Sequence, residues 1–294
     1  MELLQLKYFQ VVAHTEHLSQ AAQQLNIAQP SLSLTIKRLE NELGVSLFER
    51  NGRHIQLNAA GKAFLQHVNR ILLELENAKL AVQTIQKEEF NTVKITLSNP
   101  RFLTNLISDF ITAYPTIHLQ QGIALKREIV MSLRKGEIDL GIAGPPIQDA
   151  EIESHLLMDE DIVLALPAHH PLIAREKVAL HEIASEPFLT LANNEEYSDY
   201  VTKLCEGAGF TPKIRFEVDT QLLKEVIKLN QAVALLPISA CRMGNLHYVQ
   251  IADAAYTYPI GLSWHKNKMP TPAIEMLRNF IIDYYERNKV FYKL

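Results

Sequence analysis

Residues 19–44 read SQAAQQLNIAQPSLSLTIKRLENELG, and the spacing of their apolar positions predicts two short helices joined by a tight turn. Ser19 is placed to cap the first helix by accepting a backbone N–H, and Ala21, Ala22 and Leu25 give that helix a small, close-packing inner face ending at Asn26. The second helix is expected to begin at Pro30, whose missing N–H is not needed in a first turn. It carries Leu32, Ile36, Leu39 and Leu43 at spacings of four, three and four, which makes one face core. The opposite face presents Gln29, Ser31, Ser33, Leu34, Lys37, Arg38 and Asn41: short polar groups near the N-terminus with cations beyond, the pattern of a helix that enters the DNA major groove. An ordinary helical hairpin shares the same apolar spacing and is the alternative.

The flanks favour the helix-turn-helix. Upstream, Leu3, Leu6, Phe9, Val12 and Ala13 recur at helical spacing, giving a third helix able to cover the hairpin's apolar face. Downstream, residues 45–58 read VSLFERNGRHIQLN, two short alternating segments about an Asn51-Gly52 turn, which is a strong hairpin signal. Such a hairpin is a wing, and its Arg50 and Arg53 are placed to reach phosphate or the minor groove.

Residues 1–61 resemble the LysR-type transcriptional regulators. The opening LxxLxYF, the AAxxLxxxQPxLSxxIxxLExELGxxLFER core and the LxxAG after the wing carry the match, which continues in weaker form along the whole chain. The resemblance implies an α/β protein with an N-terminal all-α winged helix-turn-helix and a long linker helix that serves as the dimerisation element. It also implies a two-lobed effector domain like the type II periplasmic binding proteins, and a dimer of dimers. Two positions depart from the pattern: Ala28 stands where the family usually caps the recognition helix with Ser or Thr, and Leu34 stands where it usually has a polar or basic residue.

At 294 residues the chain has room for two domains, and 47% hydrophobic residues supply real cores. No apolar run approaches the roughly 20 residues of a membrane helix and no signal-peptide pattern opens the chain, so a cytoplasmic protein without membrane partners is expected. Cys205 and Cys241 lie far apart and outside any CxxC or His cluster; they read as reduced and structural, with a redox pair as the alternative. Net charge of −4 gives no global attraction to nucleic acid. Residues 1–58 balance Lys7, Lys37, Arg38, Arg50 and Arg53 against Glu2, Glu16, Glu40, Glu42 and Glu49, so DNA affinity has to come from placement, doubled by dimerisation.

From Asn58 to about Lys87 a single long helix is expected, with Phe64, Val68, Ile71, Leu75, Ala78, Val82 and Ile85 alternating at four and three. That is a coiled-coil seam, and pairing two helix-turn-helix units suits a palindromic operator. The other faces carry Lys62, Glu74, Glu76, Lys79 and Lys87 and stay wet.

Beyond Asn91 the texture becomes alternating strand and helix. Strands are expected at 93–97, 117–124, 138–144, 162–167, 187–192, 214–218, 232–237 and 258–264, with helices over 101–114, 126–135, about 197–207, 221–229 and 271–286. Two similar open sheets imply a crevice at their strand ends. The boundaries drawn are 1–58 for the DNA-binding domain, 59–88 for the linker and 92–294 for the effector domain. Its first lobe spans about 92–160 and 266–294 and its second about 161–265, the chain crossing near Asp161 and returning near Lys266.

Residues at strand ends are the candidates for an effector site: Ser98, Asn99 and Arg101, then Gly144-Pro145, and opposite them Leu191, Ala192, Asn193, Asp219 and Thr220. Hydroxyl, amide and free backbone N–H groups of this kind suit a small polar or anionic metabolite, with Arg101 as a charge partner. Motifs such as GxGxxG, GxxxxGK, GxSxG and HExxH do not occur, and no cofactor or metal is expected; His169-His170-Pro171 reads as a structural turn. A solute receptor or a small-molecule enzyme on the same lobes is the rival class. The first leaves residues 1–90 without purpose and the second lacks a catalytic constellation. The expectation is therefore an effector-responsive, DNA-binding transcription factor acting as a homodimer or dimer of dimers on a double-stranded operator, with RNA polymerase as a further candidate partner.

Overall fold

The computed structural model describes residues 1–51, 54–83, 91–192, 195–229 and 231–294. Two compact units divide the chain near residue 87.

The first unit is three helices, a hairpin and a long fourth helix: α1 (Leu3–Thr15), α2 (Leu18–Gln24), α3 (Gln29–Leu43), β1 (Phe48–Asn51), β2 (His54–Leu57) and α4 (Ala59–Gln83). Leu6, Phe9, Val12, Ala21, Ala22, Leu32, Ile36 and Leu39 bury together, because each helix brings its apolar stripe to one centre. The turn after α2 is made by Asn26 in the left-handed region (φ 54°), and α3 ends on Gly44 at φ 73°, a backbone that Gly adopts without strain. Ser19 does not cap α2. The helix starts at Leu18 with His17 before it, which leaves Ser19 exposed inside the first turn. Likewise α3 starts at Gln29, behind an Ala28 that makes no side-chain cap.

The wing is held to α3 by Glu40, whose carboxylate accepts from the backbone N–H groups of Leu47 (2.7 Å) and Phe48 (3.3 Å). A Cβ at Gly61 would collide with the carbonyl oxygen of Leu47, so α4 can pass the wing only with glycine there. Asn58 fixes the same junction, accepting from Gly61 N–H at 2.8 Å.

The seam expected on α4 needs correcting at its start. Val68 is fully buried within its own chain, and Phe64 packs at 5.1 Å on the ring of Phe9, so both belong to the winged-helix core. Ile71 is 40% exposed, Ala78 is exposed and Leu75 is half-buried. Ile85, together with the side chain of Val82, lies outside the described residues.

The second unit is α/β. Its strands are β3 (Thr92–Leu97), β4 (His118–Ile123), β5 (Leu140–Ala143), β6 (Ile152–Leu166), β7 (Lys177–Val178), β8 (Pro187–Leu191), β9 (Lys213–Val218), β10 (Ala234–Pro237), β11 (His247–Ile251) and β12 (Thr257–His265). The helices are α5 (Leu106–Ala113), α6 (Lys126–Arg134), α7 (Glu195–Gly207), α8 (Thr220–Lys228), α9 (Ile238–Gly244) and α10 (Pro272–Arg287). In the first lobe β4, β3 and β5 run parallel and β12 joins β5 antiparallel, in the order β4-β3-β5-β12-β6. In the second lobe β10 and β11 flank the far half of β6, and the β8–β9 pair adjoins through a bridge from Phe188 to Val233.

One strand differs from expectation in a way that shapes the site. The strand expected at 162–167 begins at Ile152, so β6 runs unbroken through both lobes, with Leu157 and Met158 in the first lobe's core and Ile162, Leu164 and Leu166 in the second's. The sheet path is thus continuous rather than two separate sheets. Strand β12 pairs with β6 along its whole length, from Thr257↔Asp161 to His265↔Ile152, with a bulge at Ile260/Gly261. The chain is back in the first lobe by Ile260, not at Lys266, because β12 already pairs with β5 at residues 261–263. The helix expected over 101–114 is also broken: a single turn at Pro100–Phe102 precedes α5.

Candidate DNA-binding face and interlobe cavity

On α3 the sequence places Leu32, Ile36 and Leu39 inward, and the residues between them turn out. Gln29, Pro30, Ser31, Leu34, Lys37 and Arg38 are all exposed, Leu34 at 51%, while Ser33 is half-buried on the flank. Ser19 on α2 is also exposed. Arg53 lies outside the described residues, as does the side chain of Arg50.

In the second unit a cavity of about 500 Å³ opens between the lobes, within the range that encloses a small organic ligand. Four of the expected residues from the first lobe line it: Ser98, Asn99, Arg101 and Gly144. From the second lobe only Leu191 does. Pro145, Ala192 and Asp219 do not reach it, and the carboxylate of Asp219 instead accepts from Leu222 N–H at 2.9 Å to cap α8. Asn193 and the side chain of Thr220 lie outside the described residues. Much of the rest of the second lobe's wall comes from α8 and α9, through Leu223, Lys224, Ala240 and Met243, with Leu236 and Pro237 at the end of β10.

Arg101 holds the floor. Its Nη1 donates to Glu160 Oε2 and to Ser239 Oγ, each at 2.6 Å, and Glu160 Oε1 accepts from the backbone N–H of Ser239 at 2.8 Å. Glu160 has no exposed side chain and Arg101 is 13% exposed. Burial alone lowers the pKa of the guanidinium, but the charge and hydrogen bond of Glu160 outweigh it and the net shift is upward. The expected role of Arg101 as a charge partner for an anionic ligand is therefore corrected: its charge is already neutralised within the chain. Asn99 is likewise engaged, its Oδ1 accepting from Arg101 N–H at 3.0 Å.

Two tyrosines form the back wall. Tyr197 donates to the carbonyl of Leu235 at 2.9 Å and Tyr258 to that of Gly144, and their rings meet edge to face at 5.0 Å. Burial pushes both phenols up, so both remain protonated donors. An added Cβ at Gly144 would strike the Tyr258 ring, which explains the glycine. Glu160 and Ser239 escaped the sequence reading. The usable signal was period two along β6: Met158, Glu160, Ile162, Leu164 and Leu166 all point inward, so a carboxylate sits in a buried register and requires a cation.

Among the described residues no group of three His, Cys, Asp or Glu side chains converges as a metal site would. His170 serves the turn it was assigned to, its Nδ1 accepting from Leu172 N–H at 3.2 Å. No helix among the described residues is long and apolar enough to cross a membrane.

A winged helical unit with an exposed polar helix face, on one chain with two α/β lobes around a cavity, defines a one-component regulator class: a DNA-reading part and a ligand-binding part. Comparison with known proteins narrows this. Residues 3–62 match the family described as bacterial regulatory helix-turn-helix protein, lysR family, and residues 87–286 match the LysR substrate binding domain. The transcriptional regulator AlsR of Bacillus subtilis (strain 168) is 32% identical over 253 residues, covering 84% of this chain and 83% of AlsR. Full-length CbnR in complex with its target DNA shares the fold at a TM-score of 0.57 and 26% identity, covering 97% of this chain and 100% of CbnR. Full-length OxyR C199D from Pseudomonas aeruginosa superposes at 0.70 with 21% identity, covering 97% of this chain and 95% of that one. The chain belongs to the LysR family of transcriptional regulators. It is a DNA-binding regulator and not an enzyme.

Proposed function

We propose that the chain is a cytoplasmic, effector-responsive regulator that binds a double-stranded operator as a homodimer, or a dimer of dimers, and acts on RNA polymerase at the promoter. Gln29, Ser31, Ser33, Leu34, Lys37 and Arg38, with Ser19, Pro30 and the wing arginines, form the DNA contact. Ile71, Leu75 and Ala78 carry the dimer seam. A small molecule enters the cavity beside Ser98 and changes the population of lobe arrangements about the paired strands β6 and β12, and with it the spacing of the two recognition helices.

The observation that carries this reading is the cavity of about 500 Å³ between lobes that the chain crosses twice, once in β6 and once in β12. A ligand touching both lobes favours one hinge angle over another by its differential contacts alone. The experiment is selection of binding sites from random DNA by the full-length protein, followed by anisotropy titrations of the enriched site with and without fractionated cell metabolites. A dyad-symmetric site whose affinity or footprint changes with one fraction is expected. Enrichment of no sequence, or an affinity indifferent to every fraction, overturns the reading.

A further inference from the structure

Most polar groups around the cavity are engaged inside the protein. Tyr197, Tyr258 and the Oδ1 of Asn99 are bonded as described, Arg101 is matched by Glu160, and Thr104 donates to the carbonyl of Pro100 at 3.2 Å. Among the described lining residues, three side-chain groups have no partner within the chain: the hydroxyl of Ser98, the amide NH2 of Asn99 and the ammonium of Lys224, which is exposed at the cavity's edge. Ser98 and Asn99 belong to the first lobe and Lys224 to the second. Between them the walls are apolar, formed by Leu191, Leu223, Leu236, Ala240, Met243 and Leu246.

Such a lining offers one uncompensated positive charge, one small hydroxyl beside one amide donor, and a hydrocarbon surface. A ligand with many hydroxyls or several charges would lose water against leucine and methionine and recover few hydrogen bonds. A single carboxylate on a compact apolar body loses little and gains a charge-assisted bond. Resting on the reading of this cavity as the effector site, we infer that its ligand is a hydrophobic monocarboxylic acid. The carboxylate is held by Lys224 and Ser98 across the lobes and the apolar body lies against the walls of α8 and α9.

The test uses the full-length protein and titration calorimetry with four acids, benzoate, phenylacetate, hexanoate and octanoate, against citrate and glucose. At least one of the four acids binds, and its neutral amide binds about tenfold or more weakly. Lys224→Met removes most of that difference while leaving the amide's affinity in place. Tighter binding of citrate or glucose than of every acid overturns the inference, as do silence across all four acids and an acid–amide difference unchanged in Lys224→Met. Ala240→Trp, with Met243→Trp as a second filling variant should the first fail to fold, separates this from the broader reading. A polar ligand that these variants exclude sinks the hydrophobic acid but keeps the cavity as the site. A ligand that still binds them and still shifts DNA affinity removes the cavity itself.

Discussion

The guanidinium of Arg101 lies 2.6 Å from the carboxylate of Glu160, and the pair joins the first lobe to the strand that leads into the second. With Ser239 bonded to both, the three residues pin the base of the cavity from each side. Removing one partner of a buried pair strands the other charge, so Arg101→Ala should destabilise the α/β unit by about 3–5 kcal/mol. The paired change Arg101→Met with Glu160→Leu should recover most of that loss, because no charge is left behind. Urea unfolding followed by the fluorescence of Trp264, the chain's one tryptophan and a residue packed on this unit's core, reads both. A wild-type midpoint for Arg101→Ala would show that the pair holds nothing.

Leu34 is 51% exposed on a face otherwise made of short polar groups and cations. In the proposed DNA contact, Leu34 packs against a thymine methyl in the major groove. Leu34→Ala should then weaken operator binding by about 1 kcal/mol, replacing the contacted thymine by uracil should weaken it about as much, and the two losses should not add. If wild type and Leu34→Ala select the same bases to the same degree, Leu34 reads no base.

The winged helix was legible almost residue by residue because local signals decide it: apolar spacing in α3, Gly44 at its end and the turn of the hairpin all lie within a few residues of what they shape. What failed there was the cap at Ser19, since α2 already starts at Leu18, and the seam's first residues, through tertiary packing. Phe64 and Val68 fit a heptad perfectly well, yet Phe64 packs on the Phe9 ring and Val68 lies in the same core, and a period alone does not say which surface it meets. In the lobes the strands were legible from their apolar runs, while the first half of β6 was hidden because residues 152–161 mix charge with leucine. The cavity's first-lobe edge followed from a general rule about strand ends, which is why Ser98, Asn99 and Gly144 were found. Its second-lobe wall draws in large part on the faces of α8 and α9, and no rule about strand ends reaches Lys224 or Ala240.

On α4, Ile71 is 40% exposed and Leu75 half-buried in the isolated chain. Replacing both by Glu sets like charges into the proposed seam and should dissociate the dimer, lowering operator affinity with it. Light scattering and gel shifts on the double variant check this. Unchanged mass and unchanged shifts would move the seam elsewhere.

Cys205 and Cys241 are buried in different apolar clusters. Burial pushes both thiols up to about 12, aided by Glu206 at Cys205 and Glu160 at Cys241. In the unfolded chain they lose their protons near 9, so between about 9 and 12 the folded state holds more protons and stability falls as pH rises; below 9 they contribute no pH dependence. Thiol labelling at pH 8 should be slow in the native protein and complete in urea. Rapid native labelling of either cysteine would contradict the burial described.

The first lobe is assembled from distant parts of the chain: Val93, Ile95, Leu140 and Ile142 bury against Ile260, Leu262, Leu277 and Ile281, with the whole second lobe inserted between them. On a ribosome this sets a timetable. At about 5–20 residues per second, the early strands wait on the order of ten seconds for β12 and α10, while the second lobe, contiguous in sequence, can close as it emerges. The half-built sheet must be kept from other nascent chains during that interval. A translation arrest just before residue 260 should therefore release a chain with a formed winged helix, a formed second lobe and a first lobe that chaperones still hold.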